Sequence, residues 1–191
     1  MNVSLEVLIN SAKAGKLISF PTDTVPALAT IPEKAELIYI AKQRSLDKPL
    51  ILMAANAEDL WDYVKGDNIE YEIWQEVVNK YWPGALTLVL PASNKVPKVM
   101  NPGDPTTIGV RVPNHQVAKN ILAQTGPMAT TSVNLSGQPA LENRDEIAEN
   151  FPDVLTVEAT EYKGLGTPST VAKWTGKDWQ ILRQGVIKID N

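Results

Sequence analysis

Three small oxygen-bearing side chains, Thr22, Asp23 and Thr24, follow Pro21 at the end of the short apolar run Leu17 to Phe20. Proline cannot donate to a strand ladder, so it ends the strand and pushes the triplet into a loop, where α/β folds hold ligands. Such a triplet can hold the amino and carboxylate groups of a small polar ligand, or cap the next helix. Lys42, Arg44 and Lys48 then place three cations within seven residues, directly before the strand-like Leu50 to Met53. That cluster suits a phosphate ligand, although a solvated surface is the commoner fate of such a group.

Four further places look chemical. Thr107 and Arg111 stand four apart in a strand and so share a face, and an arginine on an apolar strand needs an anionic partner, either a carboxylate ligand or a buried Asp or Glu. The run Thr130 to Gly137 leaves a strand into small polar residues, among them Ser132 and Asn134, which suits a nucleotide or a plain turn. Thr167 to Thr170, with Ser169, repeats the theme, and Arg183 ends the last strand with a cation. His115 reads as a helix-start residue rather than a base, and Gly164 to Thr167 resembles a glycine-rich loop but lacks a third glycine. There is no Walker loop, no dinucleotide glycine fingerprint and no nucleophile elbow.

Composition bounds what these residues can do. The 191 residues, 43% hydrophobic and 21% charged, predict one domain over residues 1–191 with a full core. No cysteine and one histidine exclude thiolate chemistry, cysteine zinc sites and multi-histidine metal sites. No run reaches the length of a membrane span and the N-terminus lacks signal-peptide features, so a soluble, cytoplasmic protein is expected. A net charge of −4 argues against nucleic-acid binding through overall charge, while Lys42, Arg44, Lys48, Lys95, Lys98, Arg111 and Arg183 could still converge on a local basic cleft.

The elements that must position these groups alternate. Helices are predicted after the Ser4 cap up to Gly15, over Glu33 to Ala41, Ala57 to Val64, Ile69 to Trp82, Asn114 to Thr125 with an asparagine cap, and Asp145 to Asn150. Strands are predicted at Leu17 to Phe20, Leu50 to Ala54, Leu86 to Leu90, Thr107 to Val112, Met128 to Thr131, Val154 to Val157, Thr170 to Trp174 and Trp179 to Arg183. The last two are joined by a hairpin turn at Thr175 to Asp178, which makes the sheet mixed, and Pro97 to Pro105 reads as a surface loop.

In chain order, Pro21 to Val25, Lys42 to Arg44 with Asp47 to Leu50, Trp82 to Gly84 with Leu86 and Thr87, Val110 to Pro113, Ser132 to Asn134, Pro168 to Thr170 and Leu182 to Gly185 resemble the signatures of the YrdC/TsaC family over nearly the whole chain. Two places depart from the pattern: Pro26 and Ala27 stand where the family has an aromatic and a glycine, and Met53 where some relatives carry histidine. The resemblance implies an α/β fold of α+β character, a twisted mixed sheet flanked by helices with a large basic concave cleft. It also implies the short form without an extra C-terminal domain.

The implied activity is threonylcarbamoyl-AMP synthesis from L-threonine, bicarbonate and ATP, with release of pyrophosphate, for threonylcarbamoyladenosine modification of tRNA. By motif position Lys42, Arg44, Lys48, Thr107, Ser132, Asn134 and Arg183 would hold ATP, with Lys42 and Arg44 acting on its phosphates. Thr22, Arg111, Thr130 and Ser169 would hold threonine, with Arg111 on its carboxylate. Both nucleophiles belong to substrates, so the protein need only position them and stabilise charge. Magnesium is expected on the ATP phosphates, and threonylcarbamoyl-transferase proteins are expected as downstream partners. The alternatives are a non-enzymatic module of the same fold that binds tRNA or double-stranded RNA, and a relative that handles another carbamoyl adenylate.

Overall fold

Ser4 opens the first helix as the sequence predicts: its hydroxyl accepts from Val7 N, Leu8, Ile9 and Ala12 face the core, and Gly15 turns the chain at φ +78°. The computed structural model describes residues 1–158 and 164–189. The helices are α1 (Leu5–Lys13), α2 (Glu36–Lys42), α3 (Asn68–Tyr81), α4 (Gln116–Thr125) and α5 (Arg144–Asn150). The strands are β1 (Asn2–Val3), β2 (Ile18–Phe20), β3 (Ala27–Thr30), β4 (Ile51–Met53), β5 (Leu86–Pro91), β6 (Thr107–Arg111), β7 (Met128–Ser132), β8 (Leu155–Val157), β9 (Thr170–Trp174) and β10 (Trp179–Arg183). Among the described residues these ten strands form one sheet, ordered β1-β8-β2-β3-β7-β4-β6-β5-β9-β10.

The sheet is mixed: β4 runs parallel to β6, β5 antiparallel to β6 and parallel to β9, and β9 antiparallel to β10. Strand alternation then separates two faces. Leu52, Leu88, Leu90, Ile108, Val110 and Ala172 point to the closed face and are essentially buried. On that side the ring of Trp174 in β9 meets Trp74 of α3 edge-on, centroids 6.5 Å apart. Ile51, Met53, Thr87, Val89, Thr107, Gly109, Arg111, Val171 and Lys173 point the other way, toward an open cavity. Among the described residues no helix is long and apolar enough to cross a membrane.

Most predicted elements are present within a residue of their expected ends, and the exceptions have physical causes. Strand β3 was not expected: Ala27 to Thr30 is buried on both faces between β2 and β7, so it shows no polar alternation. No α-helix spans Ala57 to Val64; a single 3-10 turn, Trp61–Tyr63, ends where Val64 is drawn into an antiparallel bridge with Ala92. The helix over Glu33 to Ala41 divides into a 3-10 turn, Pro32–Lys34, and α2. Asn114 does not cap α4: the helix starts at Gln116, His115 takes the cap position without a side-chain cap bond, and the Asn114 backbone N–H donates to Asp23 Oδ1 at 3.0 Å. The segment Pro97 to Pro105 is more than a surface loop: Met100 is fully buried, and Asn101, Gly103 and Asp104 wall the cavity.

Helix α3 carries a complete capping box, with Asp67 Oδ1 accepting from Glu70 N at 2.9 Å and Glu70 Oε2 from Asp67 N at 3.0 Å. Asp67→Ala is expected to lower stability by about 1 kcal/mol, or roughly 2–4 °C in melting temperature for a chain of this size. Thermal unfolding followed by circular dichroism checks it, and an unchanged midpoint would mean that packing of Trp74 alone holds the helix start.

Candidate active site

Arg111 ends β6 almost fully buried, and its guanidinium is tied in three directions. Nε donates to Gly84 O at 3.0 Å, Nη1 to Thr24 Oγ1 at 2.9 Å and Nη2 to Asp23 Oδ1 at 2.7 Å. Of the two partners that the strand pattern left open, a protein carboxylate is therefore present: Asp23, in the turn after Pro21. Burial lowers the Arg111 pKa and the Asp23 carboxylate opposes that shift, so the guanidinium stays charged. Two of its five N–H groups are left over, and Arg111 lines the cavity.

The turn itself is a directed chain of hydroxyls. Thr22 Oγ1 donates to Val25 O at 2.7 Å, so the 3.1 Å contact between the two hydroxyls is donated by Thr24, which in turn accepts from Arg111. Thr24 N also donates to Thr22 Oγ1 at 3.1 Å. The Thr22 hydroxyl is thus saturated and buried, and it does not line the cavity, whereas Thr24, Val25, Pro26 and Ala27 do. Here the Thr22 hydroxyl serves the turn, which needs it to hold its own shape.

Lys42 is committed to the protein in a similar way. It ends α2 with no exposure, and its ammonium donates to Ser132 O at 2.5 Å, Asn134 O at 2.7 Å and Asn134 Oδ1 at 2.9 Å. Three N–H groups meet three acceptors, so none remains for a phosphate. Burial, reinforced by Arg44 and Lys48, lowers its pKa from 10.5 to about 7. Asn134 is equally committed: Oδ1 also accepts from Ser132 Oγ at 2.6 Å, and Nδ2 donates to Leu135 O and Gln138 O. Neither the buried Lys42 nor the half-exposed Asn134 lines the cavity, and both hold Ser132, which does.

The other predicted residues reach the cavity. Arg44, Lys48, Thr107, Arg111, Thr130, Ser132, Ser169 and Arg183 line a space of about 650 Å³, within the size range of small-molecule sites. Arg44 extends along the rim, with Nε donating to Lys48 O at 3.2 Å and Nη2 to Pro49 O at 2.9 Å. Arg183 braces Ser169, with Nε donating to its carbonyl at 3.0 Å and Nη2 to its hydroxyl at 3.3 Å, while that hydroxyl lies 2.8 Å from Thr87 Oγ1. Thr130 Oγ1 donates to Ile51 O at 2.9 Å. Thr107 Oγ1 accepts from Asn101 Nδ2 at 3.1 Å and contacts Asp104 Oδ2 at 3.3 Å.

Lys95 and Lys98 do not join the cavity: Lys95 pairs with Asp62 in the open at 2.6 Å. Thr24, from the triplet singled out in the sequence, also lines the cavity, and so do Lys173, Thr87, Asn101, Thr131, Asp47 and Asp104, to which the sequence reading gave no binding role. Lys173 was legible as the only charged residue in β9, on the face opposite Trp174. His115 starts α4, as expected, and is not on the cavity wall.

Removing the Lys42 ammonium strands at least two carbonyls, so Lys42→Met is expected to cost about 3 kcal/mol, a drop of roughly 6–12 °C in melting temperature. Because the folded value of about 7 lies below the unfolded 10.5, the unfolded chain binds the extra proton between these values. The wild-type fold therefore gains stability from this group as pH rises through that window, and the gap to Lys42→Met widens. Melting curves of both proteins from pH 6 to 10 check this, and a constant or narrowing gap contradicts it.

Known proteins place this geometry. The family described as Telomere recombination, Sua5_yciO_yrdC, matches residues 10–185. The chain is similar to a threonylcarbamoyl-AMP synthase of Pyrococcus abyssi, 36% identical over 184 residues that cover 93% of this chain and 53% of that protein. It is also similar to a threonylcarbamoyl-AMP synthase of Vibrio campbellii, 33% identical over 95% of this chain and 99% of that one. The chain thus spans about half the length of the Pyrococcus relative and nearly all of the Vibrio one. The crystal structure of P. abyssi Sua5 complexed with L-threonine superposes with a TM-score of 0.85 at 33% identity, over 95% of this chain and 54% of that chain. By its motifs, its fold and the extent of these matches, the chain belongs to the Sua5/YciO/YrdC family.

Proposed function

We propose that this chain is a threonylcarbamoyl-AMP synthase, a nucleotidyltransferase that joins L-threonine, bicarbonate and ATP. The observation that carries the reading is that eight of the eleven residues named by motif line one cavity, although they come from segments as distant as Arg44 and Arg183. Cations outnumber carboxylates on that wall, with Arg44, Lys48, Arg111, Lys173 and Arg183 against Asp47 and Asp104. An acidic chain that keeps its cations facing a cavity is suited to a polyanion.

In this reading the threonine amine takes up bicarbonate with loss of water, and the resulting carbamate oxygen attacks the α-phosphorus of ATP. The bond to the β-phosphate breaks and pyrophosphate leaves. Arg44 and Lys48 draw the triphosphate in and balance the charge that builds on it. The Ser132 hydroxyl, whose proton goes to Asn134, offers an acceptor on the cavity wall, which suits a hydroxyl or amine of the nucleotide rather than its phosphates. The two uncommitted N–H groups of Arg111 take the threonine carboxylate, with Thr130 and Ser169 on the same wall.

Magnesium enters with ATP as part of the substrate. Mg2+ is held through substrate phosphate oxygens and water with at most one or two carboxylates, and Asp47 and Asp104 are the carboxylates on this wall. The product then passes to a protein that transfers the threonylcarbamoyl group to tRNA in the cytoplasm.

Loss of one charged contact to a phosphoryl group in the transition state typically costs on the order of 3 kcal/mol, about a hundredfold in rate. Arg44→Ala is expected to reduce threonine- and bicarbonate-dependent pyrophosphate release by about that factor, with Lys98→Ala unaffected. Full synthesis by Arg44→Ala, with weakened tRNA binding and a shallower salt dependence, would instead make the cluster an RNA contact.

A further inference from the structure

The stretch Gly164 to Gly166 supplies no residue to the reaction just described, yet it lies directly against the Pro21 turn. Leu165 N donates to Asp23 O at 3.0 Å and Gly166 N to Thr24 O at 3.0 Å. A Cβ on Gly164 would fall 2.3 Å from Thr24 O and 2.8 Å from Thr22 O, and these backbone atoms cannot swing aside as a side chain would. Gly166 adopts φ +68°, a conformation that glycine takes at little cost. Both glycines are therefore required by the seating of this strap on the turn.

The strap grips the backbone of the two residues whose side chains hold Arg111. Asp23 O and Thr24 O accept from the strap, while Asp23 Oδ1 and Thr24 Oγ1 accept from the guanidinium. A few residues on, the same segment delivers Ser169, braced by Arg183, to the cavity wall. One short stretch thus leads from the turn that aims Arg111 to a hydroxyl on the same cavity wall.

We propose that Gly164 is a positioning residue for the amino-acid substrate: its missing side chain lets the strap seat on the turn and so sets where Thr24 and Arg111 meet that substrate. The proposal rests on the threonine reading of the site. It places the larger effect on threonine, since the contacts of Arg44 and Lys48 do not involve the strap and Arg183 holds Ser169 rather than Gly164 to Gly166.

Calorimetric titration of Gly164→Ala with L-threonine and, separately, with ATP tests it. Misplacement on this scale is expected to raise the threonine Kd about tenfold or more, with the ATP Kd within about twofold and the melting temperature within a few degrees. Leu165→Ala, which trims an exposed side chain and keeps the N–H, is expected to bind threonine as the wild type does. Equal weakening toward both ligands, or none, overturns the proposal. If Gly164→Ala does not fold, amide exchange in the wild type decides: slower exchange at Leu165 and Gly166 with saturating threonine supports the proposal, and unchanged exchange overturns it. Failure of the wild type to bind threonine would sink the synthase reading itself, whereas wild-type binding matched by Gly164→Ala sinks only the positioning role.

Discussion

The ion pair between Arg111 and Asp23 is the constraint around which the site is built. A guanidinium with 3% of its side chain exposed has given up nearly all its hydration, and only a charged, well-placed partner makes that tolerable. Asp23 meets the need from the turn after β2, and the same oxygen takes the N–H of Asn114 at the approach to α4. Gly84, just before β5, takes a third contact. Arg111 thereby joins β6 to the segments after β2 and before β5, while Asp23 ties in the approach to α4, and removing Arg111 would leave a mostly buried carboxylate uncompensated, at roughly 3–5 kcal/mol.

Around the cavity stand polar groups that do not themselves line it. Lys42, Asn134, Thr22 and Asp23 spend their hydrogen bonds on other protein atoms, and each fixes a neighbour that does face it: Ser132, Thr24 or Arg111. Such support matters where chemistry depends on placement rather than on an activated side chain. The sheet supplies the rest of the order, because alternation along β4, β5, β6 and β9 sends one residue in two to the cavity and the others into the core.

Much of this was legible from local pattern. The four-residue spacing of Thr107 and Arg111 puts both on one face, and the need of a buried arginine for an anion calls for a carboxylate, of the protein or of a ligand; Asp23 supplies the first. The hairpin through Thr175 to Asp178 follows from its turn residues, and β9 and β10 are indeed antiparallel. What escaped depends on contacts distant in sequence. A motif places Lys42 beside Arg44, but only the fold shows that its acceptors lie about ninety residues on and leave no proton for a ligand. Strand β3 lacks polar alternation because both its faces are buried, and Gly164 to Gly166 reads as an incomplete phosphate loop when its partner is another turn of the same chain.

The two basic residues of the Lys42 to Arg44 motif illustrate why lysine and arginine are not exchangeable here. Lys42 enters a site with three converging acceptors, Ser132 O, Asn134 O and Asn134 Oδ1, and a compact ammonium satisfies all three with nothing left over. A guanidinium there would bury donors without acceptors. Arg44 faces the opposite situation: two carbonyls, Lys48 O and Pro49 O, fix Nε and Nη2 and orient the planar fork, and three N–H groups remain directed at the cavity rim. Planar, bidentate donation is what phosphate oxygens accept best. The count of protein acceptors at each position thus decides which cation holds the loop and which stays available to a ligand.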